Sequence, residues 1–249
     1  MSRKISVAIP HYNNSEFMKE TLQYIVNDDR INEIIICDDC STDFIKLQQL
    51  VSDLDNYKVV LMQNEKNLGC YHNKLRAVSK CNNEWAILLD SDNIINKDFV
   101  DTIFNIEIWD PQVIFAPMWA KTFPGASPNL NYSEFKGQLI DKTNYLHLYD
   151  NIVFQCLTNT CNYFLPVKNY SNCMNKYTYN REIIDSLDSA VLFTDWLCDN
   201  CKVLVVDGLV YSHRLHPNSN YMLSDSKKYT NLVKTNMVAK IKNSLPLDK

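Results

Sequence analysis

Asp90 and Asp92 flank Ser91 at the end of the apolar run Trp85 to Leu89, a segment that reads as a buried strand. Side chains of an extended chain alternate with period two, so these two carboxylates can face one side and offer oxygen ligands to one hard cation. Mg²⁺ or Mn²⁺ held this way keeps positions for water and for phosphate oxygens. Asp-x-Asp is short, and acidic residues are ordinary turn formers after a strand. Its meaning therefore rests on what else the fold brings beside it.

Other residues with chemical potential lie along the chain. Asp38 and Asp39 follow a second apolar run, and His213 and His216 flank Arg214 in the segment His213 to Ser219. Two Cys-x-x-Cys pairs, Cys37/Cys40 and Cys198/Cys201, have zinc-ligand spacing, but the first straddles a strand end and buried thiols are common, so zinc is disfavoured. Nine cysteines, an odd number at scattered spacings, imply no disulfide framework and fit reduced thiols in a cytoplasmic setting. A Gly-x-Gly-x-x-Gly dinucleotide site is absent, as is a P-loop, and the glycines number four: Gly69, Gly125, Gly137 and Gly208. The formal charge of −4 argues against a nucleic-acid partner. No apolar run approaches a membrane span, and the apolar start ends at Pro10 without a small-residue cleavage site, so it reads as a first strand.

The elements that must position these residues follow from periodicity. Ile5 to Ile9, Glu33 to Cys37, Lys58 to Met62 and Trp85 to Leu89 read as strands. Between them lie helices from about Ser15, after Ser41 or Thr42, and over Cys70 to Lys80. This alternation predicts right-handed crossovers and a mainly parallel sheet flanked by helices, with ligands at the carboxyl ends of the strands. Pro10 to Asn13, Asp38-Asp39, Asn67 to Gly69 and Asp90 to Asp92 all follow strands and are expected to line one crevice. Beyond a helix near Asp98 to Ile106, strands are expected over Val113 to Met118, Cys161 to Leu165 and Val203 to Val206. Residues 121–150 read as loops, short strands or an acceptor-side excursion. The lysine-rich tail over 223–249 reads as a basic amphipathic helix, suited either to its own domain or to peripheral contact with an anionic membrane.

Taken in order, ISVAIPHYN (Ile5 to Asn13), IIICDDCSTD (Ile34 to Asp43), Asn67-Leu68-Gly69, LLDSD (Leu88 to Asp92), Thr194-Asp195-Trp196 and His213 to Ser219 resemble the family 2 glycosyltransferases. The resemblance implies an α/β GT-A fold with a Rossmann-like sheet and a smaller acceptor-side region. It divides residues 1–222 into a nucleotide-binding half (1–106) and an acceptor and catalytic half (107–222). It also implies metal-dependent, inverting transfer of a sugar from a nucleotide donor, UDP-linked, to a hydroxyl of a glycan or other acceptor. A catalytically weak nucleotide-sugar or glycan binding module with the same fold is the rival.

By the same resemblance, Pro10, Tyr12 and Asn13 border the nucleoside and Asp39 accepts from the uracil N3–H. A carboxylate only accepts, and uracil presents a donor there. Asn67, Lys74, Asp90 and Ser91 line the donor, with Asp92 and Asp90 on Mn²⁺ or Mg²⁺ and His216 or His213 completing the shell. Arg214 and Ser219 are assigned to phosphate oxygens, and Asp195 is the implied general base, with a helix N-cap as its plainer role. Three departures stand out. Lys74 stands where the family commonly has Arg, Cys40 where it has Gly, and Thr194 where it has Glu.

Overall fold

The structure, a computed structural model, describes residues 3–124 and 130–246. Gly125 and the last three residues of the expected tail helix lie outside that range. The first half is β1 (Ile5–His11), α1 (Ser15–Ile25), β2 (Ile31–Asp38), α2 (Phe44–Leu54), β3 (Val59–Gln63), α3 (Cys70–Ser79), β4 (Trp85–Leu88) and α4 (Lys97–Phe104). The second opens with β5 (Val113–Phe123), β6 (Leu130–Asn131), β7 (Leu139–Ile140), α5 (Tyr145–Leu148), α6 (Ile152–Thr158) and β8 (Phe164–Pro166). It closes with α7 (Val167–Met174), α8 (Arg181–Ile184), α9 (Asp188–Cys198), β9 (Lys202–Arg214), α10 (Asn220–Leu223) and α11 (Thr230–Ser244).

The strands form one sheet in the order β3-β2-β1-β4-β8-β5-β9-β7, with β6 paired to β5. β1 to β4 pair in parallel, as the alternation predicts. The second half is mixed, because β8 runs antiparallel to both β4 and β5 while β5 and β9 are parallel. Period-two alternation gives each sheet face its own core. Val7, Ile9, Ile34 and Ile36 pack with α1, α2 and α4, through Met18, Leu47 and Phe99 among others. Ala8, Ile35 and Cys37 face the other side, toward Val78 of α3, Tyr170 of α7 and Trp196 of α9.

Four segments differ from the sequence reading. β5 and β9 extend well past the apolar runs, because they pair with each other from Val113↔Lys202 to Phe123↔Arg214 and so carry polar residues such as Thr122 and His213 as strand. β8 starts only at Phe164, since Asn162 sits at φ 67° and breaks the extended run. α9 starts at Asp188, so Asp195 lies inside the helix and is not its N-cap.

α11 belongs to the second core. Val233, Met237 and Ile241, at helical spacing, are buried and α11 packs on α9. Its apolar stripe is thereby used inside the domain, and two of its lysines also bond inward, Lys234 to Gln155 and Lys240 to Asp195. Among the described residues no helix is long and apolar enough to cross a membrane. Truncating Ile241 to Ala should cost about 2–5 kcal/mol of unfolding free energy, the range for emptying a buried aliphatic site, read from urea denaturation. An effect under about 0.5 kcal/mol, the level of an ordinary surface change, would show that α11 is not part of the cooperative unit.

Candidate active site

The first strand ends build a rigid floor. His11 and Asp38 are both fully buried, and His11 Nδ1 lies 2.9 Å from Asp38 Oδ1. The Asn14 N–H points at His11 Nε2 at 3.3 Å, so the network assigns the ring proton to Nδ1, donating to Asp38. Burial alone would raise the Asp38 carboxyl, but hydrogen bonds from His11, Ser41 and Gln63 hold it below the usual carboxylate range. Asn13, at φ 52°, accepts from Thr42 N–H at 2.8 Å, and Tyr12 remains exposed while Pro10 is buried. The loop after β1 is thus pinned to the loop after β2.

Asp39 is also buried and shapes the third loop. Its Oδ1 accepts from Asn64 Nδ2 at 2.8 Å and Leu68 N–H at 2.7 Å, and its Oδ2 accepts from Gly69 N–H at 2.9 Å. A carboxylate oxygen has two lone pairs, so Oδ2 retains room for one further donor. Asn67 Oδ1 accepts from the same Gly69 N–H at 3.0 Å. Gly69 is required here: its φ is 84°, and a Cβ would lie 3.0 Å from the Arg181 side chain.

The Asp90 to Asp92 turn is held from several sides. Ser91 is buried, its Oγ accepting from Asn14 Nδ2 at 3.4 Å and its carbonyl from Thr21 Oγ1 at 3.0 Å. Asp90 N–H donates to Asn162 Oδ1 at 3.0 Å. Asp92 Oδ2 lies 2.9 Å from His216 Nε2, whereas Asp90 Oδ1 lies 3.6 Å from Lys74 Nζ. The two carboxylates therefore have different neighbours. Burial pushes the Asp90 carboxyl up, against the pull of Lys74 and with the repulsion of Asp92 and Asp188 added.

Lys74 leads to a residue the sequence reading passed over. Its ammonium donates to Asp188 Oδ2 at 2.7 Å and to Ser189 Oγ at 3.0 Å. Burial would lower its pKa, but Asp188 and Asp90 together hold it well above the usual range, so it stays charged. Asp188 opens α9, where a carboxylate suits the positive end of the helix. The available signal was an acidic residue just ahead of the apolar run Ala190 to Phe193.

Asp195 is not brought to this end. It lies seven residues further along α9, about 10 Å of helix rise, and is fully buried. Its carboxylate accepts from Tyr71 Oη at 2.9 Å, from Tyr179 Oη at 2.7 Å, and from Lys240 Nζ of α11. Burial pushes its carboxyl up, against the pull of Lys240 and the two tyrosines. A helix capped by Asp195 would put that carboxylate at its mouth, whereas α9 begins at Asp188 and puts it two turns inside.

The His213 to Ser219 segment closes the crevice. Ser219 Oγ accepts from Met222 N–H at 3.3 Å, and His213 and His216 each have a buried Nδ1 without a partner among the described residues. Arg214 donates from Nε to the Asp92 carbonyl at 3.0 Å and from Nη2 to Glu20 Oε2 at 2.6 Å. Among the described residues no three His, Cys, Asp or Glu side chains form a metal-ligand cluster. The Asp92–His216 pair still fits a divalent cation of the Mg²⁺ or Mn²⁺ kind, which takes one or two protein ligands and fills its shell with phosphate oxygens and water.

Comparison with known proteins adds three findings. The family model for glycosyl transferase family 2 matches residues 6–164. An abequosyltransferase, RfbV, of Salmonella typhimurium is 34% identical over 98 residues, 38% of this chain and 29% of the relative; a Streptococcus pneumoniae glycosyltransferase, GlyG, is 32% identical over 106 residues, 42% and 35% of the two. The chain thus spans about a third of the length of these curated relatives. Among solved structures, S. aureus TarS 1-349 in complex with UDP-GlcNAc aligns with a TM-score of 0.68 at 19% identity, covering 97% of this chain and 72% of that one. The UDP complex of the same fragment aligns with a TM-score of 0.62 at 20% identity, covering 96% and 71%. These two likenesses establish the shared GT-A fold.

Replacing Asp195 by Asn should lower stability by roughly 1–3 kcal/mol in urea titrations, because an amide cannot satisfy three donors and leaves Lys240 without its counter-charge. Wild-type stability for Asp195→Asn would contradict the structural role of this carboxylate.

Proposed function

The chain belongs to glycosyl transferase family 2, and we propose that it moves a glycosyl group from a UDP-linked sugar to a hydroxyl of a glycan-type acceptor, with inversion. The observation that carries this reading is Lys74, whose ammonium joins Asp188 (2.7 Å) to Asp90 (3.6 Å) at the carboxyl ends of the strands. A proton acceptor and a donor-binding turn thereby share one crevice.

In this reading the acceptor hydroxyl attacks the anomeric carbon opposite the leaving diphosphate. The new sugar–oxygen bond forms as the sugar–phosphate oxygen bond breaks, and the hydroxyl proton passes to the Asp188 carboxylate. Asp188 replaces Asp195 as the proposed base because it alone of the two stands beside the turn. Lys74 keeps Asp188 and Asp90 in place. The free lone pair on Asp39 Oδ2 supports a uracil N3–H contact, and the UDP and UDP-GlcNAc complexes of TarS, which shares the fold, are consistent with that base. Asp92 and His216 would hold Mn²⁺ or Mg²⁺, which when bound offsets the charge developing on the departing nucleoside diphosphate.

Thermal-shift measurements with a panel of nucleotide sugars and Mn²⁺ identify the donor, since a ligand specific for the folded state raises the melting temperature by mass action. With that donor, Asp188→Asn should reduce UDP release by about 10²–10⁴-fold while UDP affinity stays within about threefold of wild type. Turnover by Asp188→Asn near the wild-type rate would remove it from the base role. Asp92→Ala should instead weaken UDP binding in Mn²⁺ by about tenfold or more, the loss of one charged contact, measured by calorimetry. Tight UDP binding by a wild-type chain that turns over no donor would move the reading to a binding module.

A further inference from the structure

Arg214 is tied to the protein by two of its five guanidinium N–H donors and by contacts with two aromatic rings. Nε donates to the Asp92 carbonyl at 3.0 Å and Nη2 to Glu20 Oε2 at 2.6 Å. Phe17 of α1 covers one side of the group, with Cζ 4.5 Å from the ring centroid, and Phe123 of β5 also packs on it at 4.6 Å. Phe123 is the register partner of Arg214 in the β5–β9 ladder, so the ring and the guanidinium are neighbours by construction. The Arg214 N–H donates to Asn93 Oδ1 at 3.0 Å, and the residue is 8% exposed. Phe17 also meets the His216 ring edge-on at 4.7 Å, and His216 in turn bonds the Asp92 carboxylate.

We propose that Arg214 is a positioning residue, a latch that fixes the Asp92 turn and the His213–Ser219 loop to α1 and β5, and not a ligand of the donor's phosphates. The proposal rests on the reading of Asp92 as part of the donor site. It follows from what a guanidinium offers: planar faces that stack on aromatic rings and a fork of donors along its edge. Here two of the donors and contacts with two rings are used within the protein, and the residue is nearly buried. Asp92 is consequently held at two points by one loop, its carbonyl by Arg214 and its carboxylate by His216. Glu20, on the exposed side of α1, anchors the far end of the latch.

The two roles differ in what a lysine can rescue. A phosphate ligand needs a positive charge, which Arg214→Lys keeps; a latch needs the stacked plane and the two-directional fork, which Lys lacks. Two measurements separate them. Calorimetry with UDP and Mn²⁺ should show Arg214→Lys weakened about as much as Arg214→Ala, by tenfold or more, and Phe17→Leu and Glu20→Gln weakened about three- to tenfold although neither residue is assigned a donor contact. Their melting temperatures should stay close to wild type. Hydrogen exchange of the ligand-free protein should quicken severalfold in peptides covering 88–96 and 210–219 in Arg214→Lys and Phe17→Leu, and not elsewhere. UDP binding by Arg214→Lys within twofold of wild type, with Phe17→Leu and Glu20→Gln neutral, overturns the latch, as does unchanged exchange in both peptides. If wild type binds no UDP in Mn²⁺ or Mg²⁺, the donor-site reading falls, while the exchange measurement still decides the latch.

Discussion

A single buried ammonium sets the arrangement of the crevice. Lys74 is 7% exposed and carries its charge because Asp188 and Asp90 stand beside it. Such a charge is costly to desolvate, and its two carboxylate neighbours offset that cost. The three groups come from α3, the mouth of α9 and the end of β4, segments up to 114 residues apart in the chain. The ammonium has three N–H donors and three oxygen neighbours, Asp188, Asp90 and Ser189. That match gives a physical reason for lysine at a position where the family commonly has arginine, whose planar fork suits one carboxylate and not three points around a compact centre.

The same helix pair carries a second charge centre of different character. On α3, Tyr71 precedes Lys74 by one turn; on α9, Asp195 follows Asp188 by two. Tyr71 reaches Asp195 and Lys74 reaches Asp188, so the two helices cross in opposite chain directions. The carboxylate of Asp188 is joined through Lys74 to Asp90 at the end of β4. Deeper in the core, the carboxylate of Asp195 is closed off by two phenols and Lys240. Two aspartates on one helix thus have different partners, Asp188 the Lys74 ammonium and Asp195 two phenols and Lys240.

Much of this was legible in the sequence. The first four strands and their helices follow from apolar alternation because each strand is buried on a face that the pattern itself reports. The strand-end motifs converge because a parallel sheet puts all such ends on one side. Less visible were features set by partners distant in sequence. β5 and β9 are long because they pair with each other, which neither strand's own pattern states. Asp188 was hidden by the start of α9, a boundary that propensity places poorly. Phe17 reads as one of several apolar positions on α1, yet it stacks on Arg214 while Met18 fills the core. Cys40 presents the opposite case. It stands where the family has glycine, and its φ of 61° is the left-handed backbone that glycine adopts freely.

The bond between Asp195 and Lys240 bears on how the chain comes to be folded. Lys240 is synthesised 45 residues after Asp195. At ordinary translation speeds that interval lasts seconds, far longer than a helix needs to form. During it, α9 exists without the cation that balances its inner carboxylate, and burying that carboxylate is unfavourable. The face of the sheet covered by α1, α2 and α4 has no such dependence on α11. One side of the sheet can therefore pack while the ribosome is still at work, and the other is sealed only once α11 has emerged.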